Sequence, residues 1–258
     1  MFLAIDVGNT QSTLGLFDDE GQLAKGWRMT SNASDTSDML HARLFSYFLK
    51  DGYELADVSA AAVASVVPAL TRAWWRCLGD LLGRSPLLVN ATHDYGMPID
   101  MPNPRTVGAD RIANAIAARN AYGSPVIVVD FGTATNIDVV DDRGAYRGGA
   151  ISPGLMLSAN ALFSKAAKLA SIPVEAPEHA LGDTTETAMQ SGLVIGAAAQ
   201  AEGLVSRMKA ELDIEQAKVI GTGGLARTVS RATDLFDAVD PTLTLRGIRE
   251  IWLQQHGG

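Results

Sequence analysis

Two short segments of this sequence combine an acidic side chain, a glycine and uncharged hydrogen-bond donors in the same order. They read Asp6-Val7-Gly8-Asn9-Thr10 and Asp130-Phe131-Gly132-Thr133. Each follows an apolar run that predicts a strand ending at the aspartate. A carboxylate there is costly unless it has hydrogen bonds or a cation, and a glycine lets the backbone approach a phosphate closely. These residue types favour the binding of a nucleotide phosphate tail and its metal ion.

The likeness continues into the chain that follows. Each segment leads to a second apolar run and then to an acidic turn, Asp18-Asp19-Glu20-Gly21 or Asp141-Asp142-Arg143-Gly144. The acid, the glycine, the hydroxyl residue and the acidic turn recur at nearly the same spacing in both segments, which predicts an internal duplication. We expect the two hairpins to face each other across a cleft. An Asx-turn would explain a single Asp6, but the second copy at Asp130 favours two acids that face one polyanion. The chain has no GxxxxGK[ST] motif of the P-loop proteins.

A third segment, Gly108-Ala109-Asp110-Arg111, opens a predicted helix. An acid in the first helical turn can satisfy N–H groups and interact favourably with the helix dipole, and Arg111 could form a surface ion pair. The functional interpretation is an acid that accepts a hydroxyl proton beside a cation that steadies anionic oxygens. Spacing alone favours the helix-cap interpretation.

Other candidate residues are less specific. The run Gly221-Thr222-Gly223-Gly224 is either a tight turn between a strand and a helix or a backbone platform for adenine or phosphate. The sequence has four histidines without ligand spacing, which does not favour zinc or triad chemistry. Cys77 is the sole cysteine and lies in an apolar helical pattern, so we interpret it as core.

Composition narrows the class of protein. The chain has 258 residues, of which 47% are hydrophobic, and a net charge of −8. That length allows one large or two ordinary domains. No basic run is present, so we do not expect nucleic acid or an anionic membrane surface as a partner. No apolar stretch approaches the ~20 residues of a membrane span, and we expect a cytoplasmic protein.

Residue patterns predict the same succession of elements twice, a meander of three strands followed by alternating helices and strands. The predicted strands lie at 2–5, 14–17, 23–29, 60–67, 87–89, 126–129, 136–140, 145–147 and 218–220. The predicted helices include 70–82, 108–120, 155–169 and 186–212. An earlier helix is expected to be capped by Ser34 or Asp35, with Met39 on its apolar face. A closing helix contains Ile248 and Ile251. The expected fold is α/β, with mixed sheets flanked by helices, in two domains at 1–122 and 123–258 separated by an interdomain cleft.

The motifs in this order resemble type III pantothenate kinases over nearly the whole chain. The resemblance rests on the three segments above, on the glycine runs at 148–154 and 222–224, on Thr185-Glu186-Thr187-Ala188-Met189-Gln190-Ser191-Gly192, and on Pro241-Thr242-Leu243-Thr244-Leu245-Arg246-Gly247. It implies a duplicated ribonuclease-H-like fold of the actin-like, sugar-kinase and Hsp70 ATPase superfamily. It also implies ATP-dependent phosphorylation of pantothenate to 4'-phosphopantothenate, the first step of coenzyme A biosynthesis, by a homodimer.

The resemblance also implies residue roles. The residues expected to bind ATP are Asp6, Val7, Gly8, Asn9, Thr10, Gln11, Ser12, Thr13 and Thr133. The residues expected to contact pantothenate are Gly108, Ala109, Asp110, Arg111 and Thr185, with Asp110 as the proton acceptor. Asp130 would bind a monovalent cation, K⁺ or NH₄⁺, and Asp6 would lie near the Mg²⁺ that accompanies ATP.

One position departs from the family pattern. Met101 stands where a substrate-contacting tyrosine is common, and Tyr95 lies six residues earlier. Two alternative functions stay open at this point. One is another small-molecule kinase of the superfamily, and the other is an ATP-binding regulatory protein without turnover.

Overall fold

The computed structural model describes residues 1–165 and 172–256, which form two compact units. Among the described residues, the first unit comprises Met1–Gly96, Pro102–Ala117 and 243–256, and the second comprises Met97–Met101, 118–165 and 172–242. Each unit contains one five-stranded sheet. No helix within the described ranges has the length and apolar character needed to cross a bilayer.

The elements follow the predicted succession. The strands are β1 (Phe2–Val7), β2 (Gln11–Phe17), β3 (Leu23–Thr30), β4 (Ala60–Ser65), β5 (Leu87–Val89), β6 (Val126–Phe131), β7 (Ala134–Val140), β8 (Tyr146–Pro153), β9 (Lys218–Thr222) and β10 (Ala238–Val239). The helices are α1 (Ser37–Asp51), α2 (Pro68–Leu82), α3 (Ala109–Tyr122), α4 (Leu155–Lys165), α5 (Thr185–Gln190), α6 (Gly196–Leu212), α7 (Ala226–Val229) and α8 (Leu243–His256). A π-helical segment, Ser191–Ile195, joins α5 to α6.

Strand order confirms the predicted duplication. The first sheet has the order β3-β2-β1-β4-β5, and the second has the equivalent order β8-β7-β6-β9-β10. In each, the meander is antiparallel and the two strands added beyond its first strand are parallel. Parallel strands need crossover connections, which here contain the helices. The duplicated α/β fold with mixed sheets flanked by helices is therefore confirmed.

The turns of the two meanders match as closely as their strands. A register shift interrupts the ladder near the end of β2 and again near the end of β7. The acidic turn that follows ends at a glycine of positive φ, Gly21 at 83° and Gly144 at 76°. Each glycine N–H donates to the carbonyl of the first aspartate of its turn, at 3.1 Å to Asp18 and 3.0 Å to Asp141. The repeat thus extends to individual backbone hydrogen bonds.

Strand alternation divides the side chains of β1 between two layers of helices. Leu3, Ile5 and Val7 belong to one apolar core with α1 and α2. On the opposite face, the ring of Phe2 lies 5.1 Å from that of Trp252 in α8. Successive side chains of a strand point to opposite faces, so β1, in which every residue except Asp6 is buried, needs helices on both faces.

The start and the face of α1 differ from the prediction. The helix is capped by Thr36, whose Oγ1 accepts the N–H of Met39, and neither Ser34 nor Asp35 is the cap. The Asp35 carboxylate instead forms an ion pair with Arg43 of the same helix, with Nη2 donating to Oδ1 at 2.9 Å. Met39, predicted on the apolar face, is 46% exposed, and the buried side chains of the helix are Leu40, Leu44 and Phe48.

Two predicted strand or helix limits also change. The strand predicted at 145–147 continues as β8 through the glycines at 148 and 149, which pair with Val139 and Asp138 of β7. Of the helix predicted at 155–169, α4 accounts for the part up to Lys165, and positions 166–169 lie outside the described residues.

The closing helix, α8, belongs to the first compact unit. The predicted domains at 1–122 and 123–258 place it in the second. The reason for its place in the first unit is apolar packing: α8 buries Leu245, Ile248 and Ile251. Leu245 lies beside Gly15 of β2, where an added Cβ would be 2.9 Å from its Cδ1. The boundaries of independently folding domains stay a prediction.

Candidate active site

The bend after Asp6 presents small polar groups at the end of β1. Asp6 pairs with Thr13 across the hairpin, and the N–H of Gly8 donates to the carbonyl of Gln11 at 3.1 Å. Asn9, Thr10 and Gln11 are exposed. Three consecutive residues with amide or hydroxyl side chains thus surround a backbone bend, which is a suitable surface for anionic oxygens.

A residue outside the predicted set supports this bend. The N–H of Ser31, just after β3, donates to the carbonyl of Thr10 at 3.0 Å. Its Oγ lies 2.8 Å from the Oγ of Ser12, a residue that is 1% exposed. The hydroxyl of Ser12 therefore stabilises the strand meander through its contact with Ser31. The sequence signal for Ser31 was its place at the end of the third strand of the meander, which adjoins the second.

Asp110 lies in the first turn of α3, and its carboxylate is held close to the backbone. Its Oδ1 accepts the N–H of Arg111 at 2.9 Å, so the carboxylate does satisfy an N–H of the first turn, as the helix-cap interpretation expects. Gly108 leaves room for this arrangement, because an added Cβ would lie 2.5 Å from the same oxygen. Burial raises the pKa of Asp110, although hydrogen bonding to Arg111 and its positive charge act in the opposite direction. A carboxylate with a raised pKa is a stronger base.

The Asp6 bend and the start of α3 lie at the same edge of the first sheet. The N–H of Val66, which follows β4, donates to the carbonyl of Val7 at 3.1 Å. The side chain of Val66 in turn lies beside Gly108, with Cγ1 3.7 Å from an added Cβ. The parallel strands β1 and β4 therefore end next to the helix that carries Asp110. Ligands of open α/β sheets bind at the carboxyl ends of parallel strands.

The bend after Asp130 in the second unit is one residue shorter than its counterpart. Asp130 pairs with Asn136, and the N–H of Gly132 donates to the carbonyl of Ala134 at 3.0 Å. Thr133 is exposed at the tip of this bend. The shorter bend leaves one exposed hydroxyl residue where the first hairpin has Asn9 and Thr10.

Two glycines surround the Asp130 carboxylate. An added Cβ on Gly132 would lie 3.5 Å from Asp130 Oδ1, and one on Gly223 would overlap that same oxygen. Gly223 also has a φ of +90°, which favours glycine. Gly224 is exposed, with no atom near the position of an added Cβ. The glycine run after β9 is therefore a turn into α7 that also gives the carboxylate space.

Thr185 is the first residue of α5 and is exposed. The helix begins with a reciprocal capping box in which Thr184 Oγ1 accepts the N–H of Thr187, and Thr187 Oγ1 accepts the N–H of Thr184. Gly182 packs against the first turn of this helix, where an added Cβ would overlap the backbone of Ala188. Thr185 therefore lies between the capping box of Thr184 and Thr187 and the close approach of Gly182 to Ala188.

The structure assigns different environments to Tyr95 and Met101. Tyr95 is 3% exposed, and its hydroxyl oxygen accepts the N–H of Asn90 at 3.1 Å. Burial raises the pKa of Tyr95. Met101 lies against Gly148, with its sulfur 3.4 Å from an added Cβ. Tyr95 therefore has a structural role within the first unit.

Comparison with known proteins identifies a family that the chain matches. The family model for type III pantothenate kinase matches residues 2–207. A curated protein of Moorella thermoacetica (strain ATCC 39073 / JCM 9320), named type III pantothenate kinase, is 42% identical over 252 residues, which cover 98% of each chain.

Solved structures support the fold. A conserved Baf family protein from Campylobacter jejuni has a TM-score of 0.64 and 18% identity, covering 99% of this chain and 98% of that one. The activator of 2-hydroxyisocaproyl-CoA dehydratase from Clostridium difficile was solved with bound ADPNP. It has a TM-score of 0.60 and 13% identity, covering 98% of this chain and 94% of that one. At these identities, the likeness shows a shared actin-like fold. The family model and the Moorella relative go further and show that this chain belongs to the type III pantothenate kinase family.

Proposed function

We propose that this protein transfers the γ-phosphoryl group of ATP to the primary hydroxyl of pantothenate, producing 4'-phosphopantothenate and ADP in the first step of coenzyme A biosynthesis. Membership of the type III pantothenate kinase family is the observation that carries this conclusion. The proposed location is the cytoplasm.

The Asp6 bend and Thr133 are the proposed ATP-binding groups. Both bends offer backbone and hydroxyl groups at the end of a buried strand, with Asn9, Thr10, Gln11 and Thr133 exposed. Glycine at positions 8 and 132 limits side-chain bulk at each bend. The similar fold of the Clostridium difficile activator, solved with bound ADPNP, also supports nucleotide binding.

Mg²⁺ is the expected partner of ATP, and the residues present fit such a site. Within the described residues, no three His, Cys, Asp or Glu side chains gather into a metal-binding cluster. Mg²⁺ bound with a nucleotide keeps several waters and takes one or two carboxylates besides the phosphates, so Asp6 alone suffices. The ion would supply charge neutralisation at the phosphates.

Asp110 is the proposed proton acceptor. As the pantothenate hydroxyl oxygen forms its bond to the γ-phosphorus, the bond from that phosphorus to the β,γ-bridging oxygen breaks, and the hydroxyl proton passes to the Asp110 carboxylate. Burial raises the pKa of this group, which suits a base. Phosphoryl transfer depends mainly on positioning and charge stabilisation, so Arg111 contributes a positive charge beside the reacting groups.

Pantothenate is proposed to contact residues Gly108, Ala109, Asp110 and Arg111 together with Thr185. The N-terminal turns of α3 and α5 carry these residues. Backbone N–H groups at the start of a helix favour anionic groups, and pantothenate carries a carboxylate.

Asp130 is the proposed ligand of a monovalent cation, K⁺ or NH₄⁺. Its carboxylate has the space that Gly132 and Gly223 leave around it. The carboxylate is a suitable oxygen ligand for such a cation.

A homodimer is the proposed assembly. Several large apolar side chains of β8 and α4 are exposed, including Ile151 at 64%, Leu157 at 54% and Met156 at 44%. Exposed apolar patches mark protein–protein contacts. These exposed side chains of consecutive elements, Ile151, Met156 and Leu157, form the proposed interface, and their exposure supports self-association.

A coupled assay of ADP formation tests the proposed activity. ADP release should require pantothenate and should increase when K⁺ replaces a large inert cation at the same ionic strength. ADP release with a sugar but not with pantothenate would instead identify another kinase of the superfamily. ATP binding without turnover on any alcohol would identify a regulatory protein.

A further inference from the structure

The helix that ends the first unit packs directly on the helix that carries Asp110. Gly247 of α8 lies against Ala113 of α3, where an added Cβ would overlap the carbonyl group of Ala113. Glycine at this position therefore brings the two helix backbones closer together than any other residue would allow.

A buried polar contact fixes the two helices relative to each other. Thr244 Oγ1 donates a hydrogen bond to Asn114 Oδ1 at 2.7 Å. Asn114 is 1% exposed, so its amide has been removed from water and depends on such protein partners. Asn114 follows Asp110 by four residues in α3, which places both on the same face of the helix, one turn apart.

The same helix also supports β1. Trp252 packs on Phe2 with 5.1 Å between ring centroids, and Leu245 lies beside Gly15 of β2. Because α8 packs on both β1 and α3, it fixes the position of the strand that leads to Asp6 relative to the helix that carries Asp110.

We propose that Thr244 is a positioning residue for the proton acceptor Asp110. The inference rests on the proposed function, in which the Asp110 carboxylate must lie within hydrogen-bond reach of the attacking hydroxyl. The Thr244–Asn114 hydrogen bond holds α3 against rotation about its axis and against sliding along α8, one turn from that carboxylate. Thr244 thereby sets the geometry of proton transfer without contacting substrate.

Thr244→Val tests this role because valine keeps the shape of threonine and lacks its donor. We expect kcat to fall about tenfold or more, since small misplacements of catalytic groups are costly. The Kd for ATP, measured by calorimetry, should stay unchanged. Thr244→Ser keeps the hydroxyl and should restore kcat.

Thr36→Val is the matched control for a general loss of stability. Thr36 Oγ1 accepts the N–H of Met39 at the start of α1, so this substitution removes a hydrogen bond elsewhere in the same unit. It should lower the Tm and leave kcat unchanged. A parallel fall of kcat in Thr36→Val and Thr244→Val would overturn the proposal.

A double-mutant cycle separates positioning from a merely structural effect. If Thr244 acts through Asp110, Thr244→Val should lower kcat in the wild type and have little further effect in Asp110→Asn. An equal loss in both backgrounds overturns the positioning role. If Asp110→Asn itself retains kcat, the base assignment of the proposed function fails instead, and the cycle reports that directly.

Discussion

The carboxylate of Asp110 accepts its hydrogen bond from the very next residue, through the backbone N–H of Arg111 at 2.9 Å. This bond favours the ionised carboxylate, as does the positive charge of Arg111, whereas burial disfavours it. Burial has the larger effect, so the pKa of Asp110 is raised. Burial therefore makes the Asp110 carboxylate a stronger base, and it costs the folded protein free energy when the group is ionised.

Asp110→Asn should lose turnover and gain stability. A general base contributes about 10²–10⁴-fold to rate, so kcat should fall within that range. Because folding raises the pKa of Asp110, the ionised group destabilises the folded state at pH values above that pKa. The neutral amide removes this cost and can still accept the Arg111 N–H. Steady-state kinetics and thermal unfolding at pH 7 check both parts, and an unchanged kcat would remove the base assignment.

The pH profile of kcat/KM, which reports the pKa values of the free enzyme, should show an acid limb that belongs to Asp110. Protonation of the carboxylate abolishes its capacity to accept the hydroxyl proton, so kcat/KM should fall as pH decreases through the pKa of this group. The midpoint should lie above the ordinary aspartate value of about 3.9 because burial raises the pKa. Asp110→Asn should lose this limb, and a limb that persists unchanged in the variant would assign it to another residue.

Asp130→Asn should weaken activation by the monovalent cation. Removing the carboxylate charge lowers cation affinity, and the isosteric amide still fits between Gly132 and Gly223. We expect the K⁺ concentration for half-maximal activity to rise several-fold. Asp142→Asn, in the exposed turn after β7, is the control and should leave K⁺ activation unaltered. Equal K⁺ dependence in wild type and Asp130→Asn contradicts the cation role.

Gly247→Ala should be destabilising, whereas Gly203→Ala should be stabilising. A Cβ at Gly247 overlaps the carbonyl of Ala113, and overpacking of this kind costs about 1–3 kcal/mol or more. Gly203 lies in the interior of α6 with no atom near an added Cβ, so alanine gains about 0.5–1 kcal/mol through helix propensity. Urea unfolding of both variants measures the difference, and a neutral Gly247→Ala would refute the close packing of α8 on α3.

Leu157→Glu should dissociate the proposed homodimer. A charge within the Ile151, Met156 and Leu157 surface would have to be buried in the proposed interface without a partner. Leu49→Glu is the control because Leu49 is 67% exposed on α1 of the first unit. Light scattering should report a dimer for wild type and Leu49→Glu, and a monomer for Leu157→Glu. Dissociation by Leu49→Glu alone would assign the interface to α1.

The duplicated fold could be predicted because its signals are local. The strand meanders show in apolar runs that end at Asp6 and Asp130, and the acidic turns show in the glycines at 21 and 144. Short-range turn chemistry of this kind depends on a few adjacent residues, so one sequence is sufficient to recognise it.

The elements that were misplaced depend on contacts distant in sequence. Thr36 caps α1, while the Asp35 carboxylate is engaged by Arg43, two turns into the helix. β8 extends through Gly149 because its backbone lies directly against that of Ile137 in β7, where an added Cβ would overlap the carbonyl oxygen. No local pattern reveals such partners.

The candidate site was predicted only as residue types. The sequence identified Asp110 and Gly108, but the raised pKa of Asp110 follows from burial, which only the folded chain determines. Ser31 and Thr244 were missed as contributors because their roles are hydrogen bonds to Thr10, Ser12 and Asn114, set by strand and helix packing.

The return of α8 to the first unit has a consequence for synthesis on the ribosome. Domains generally fold during translation in the order in which they emerge. Here β1 to β5 leave the exit tunnel long before α8, which covers one face of their sheet with Leu245, Ile248 and Ile251. That face of the nascent first unit is thus expected to stay uncovered until α8 has been synthesised.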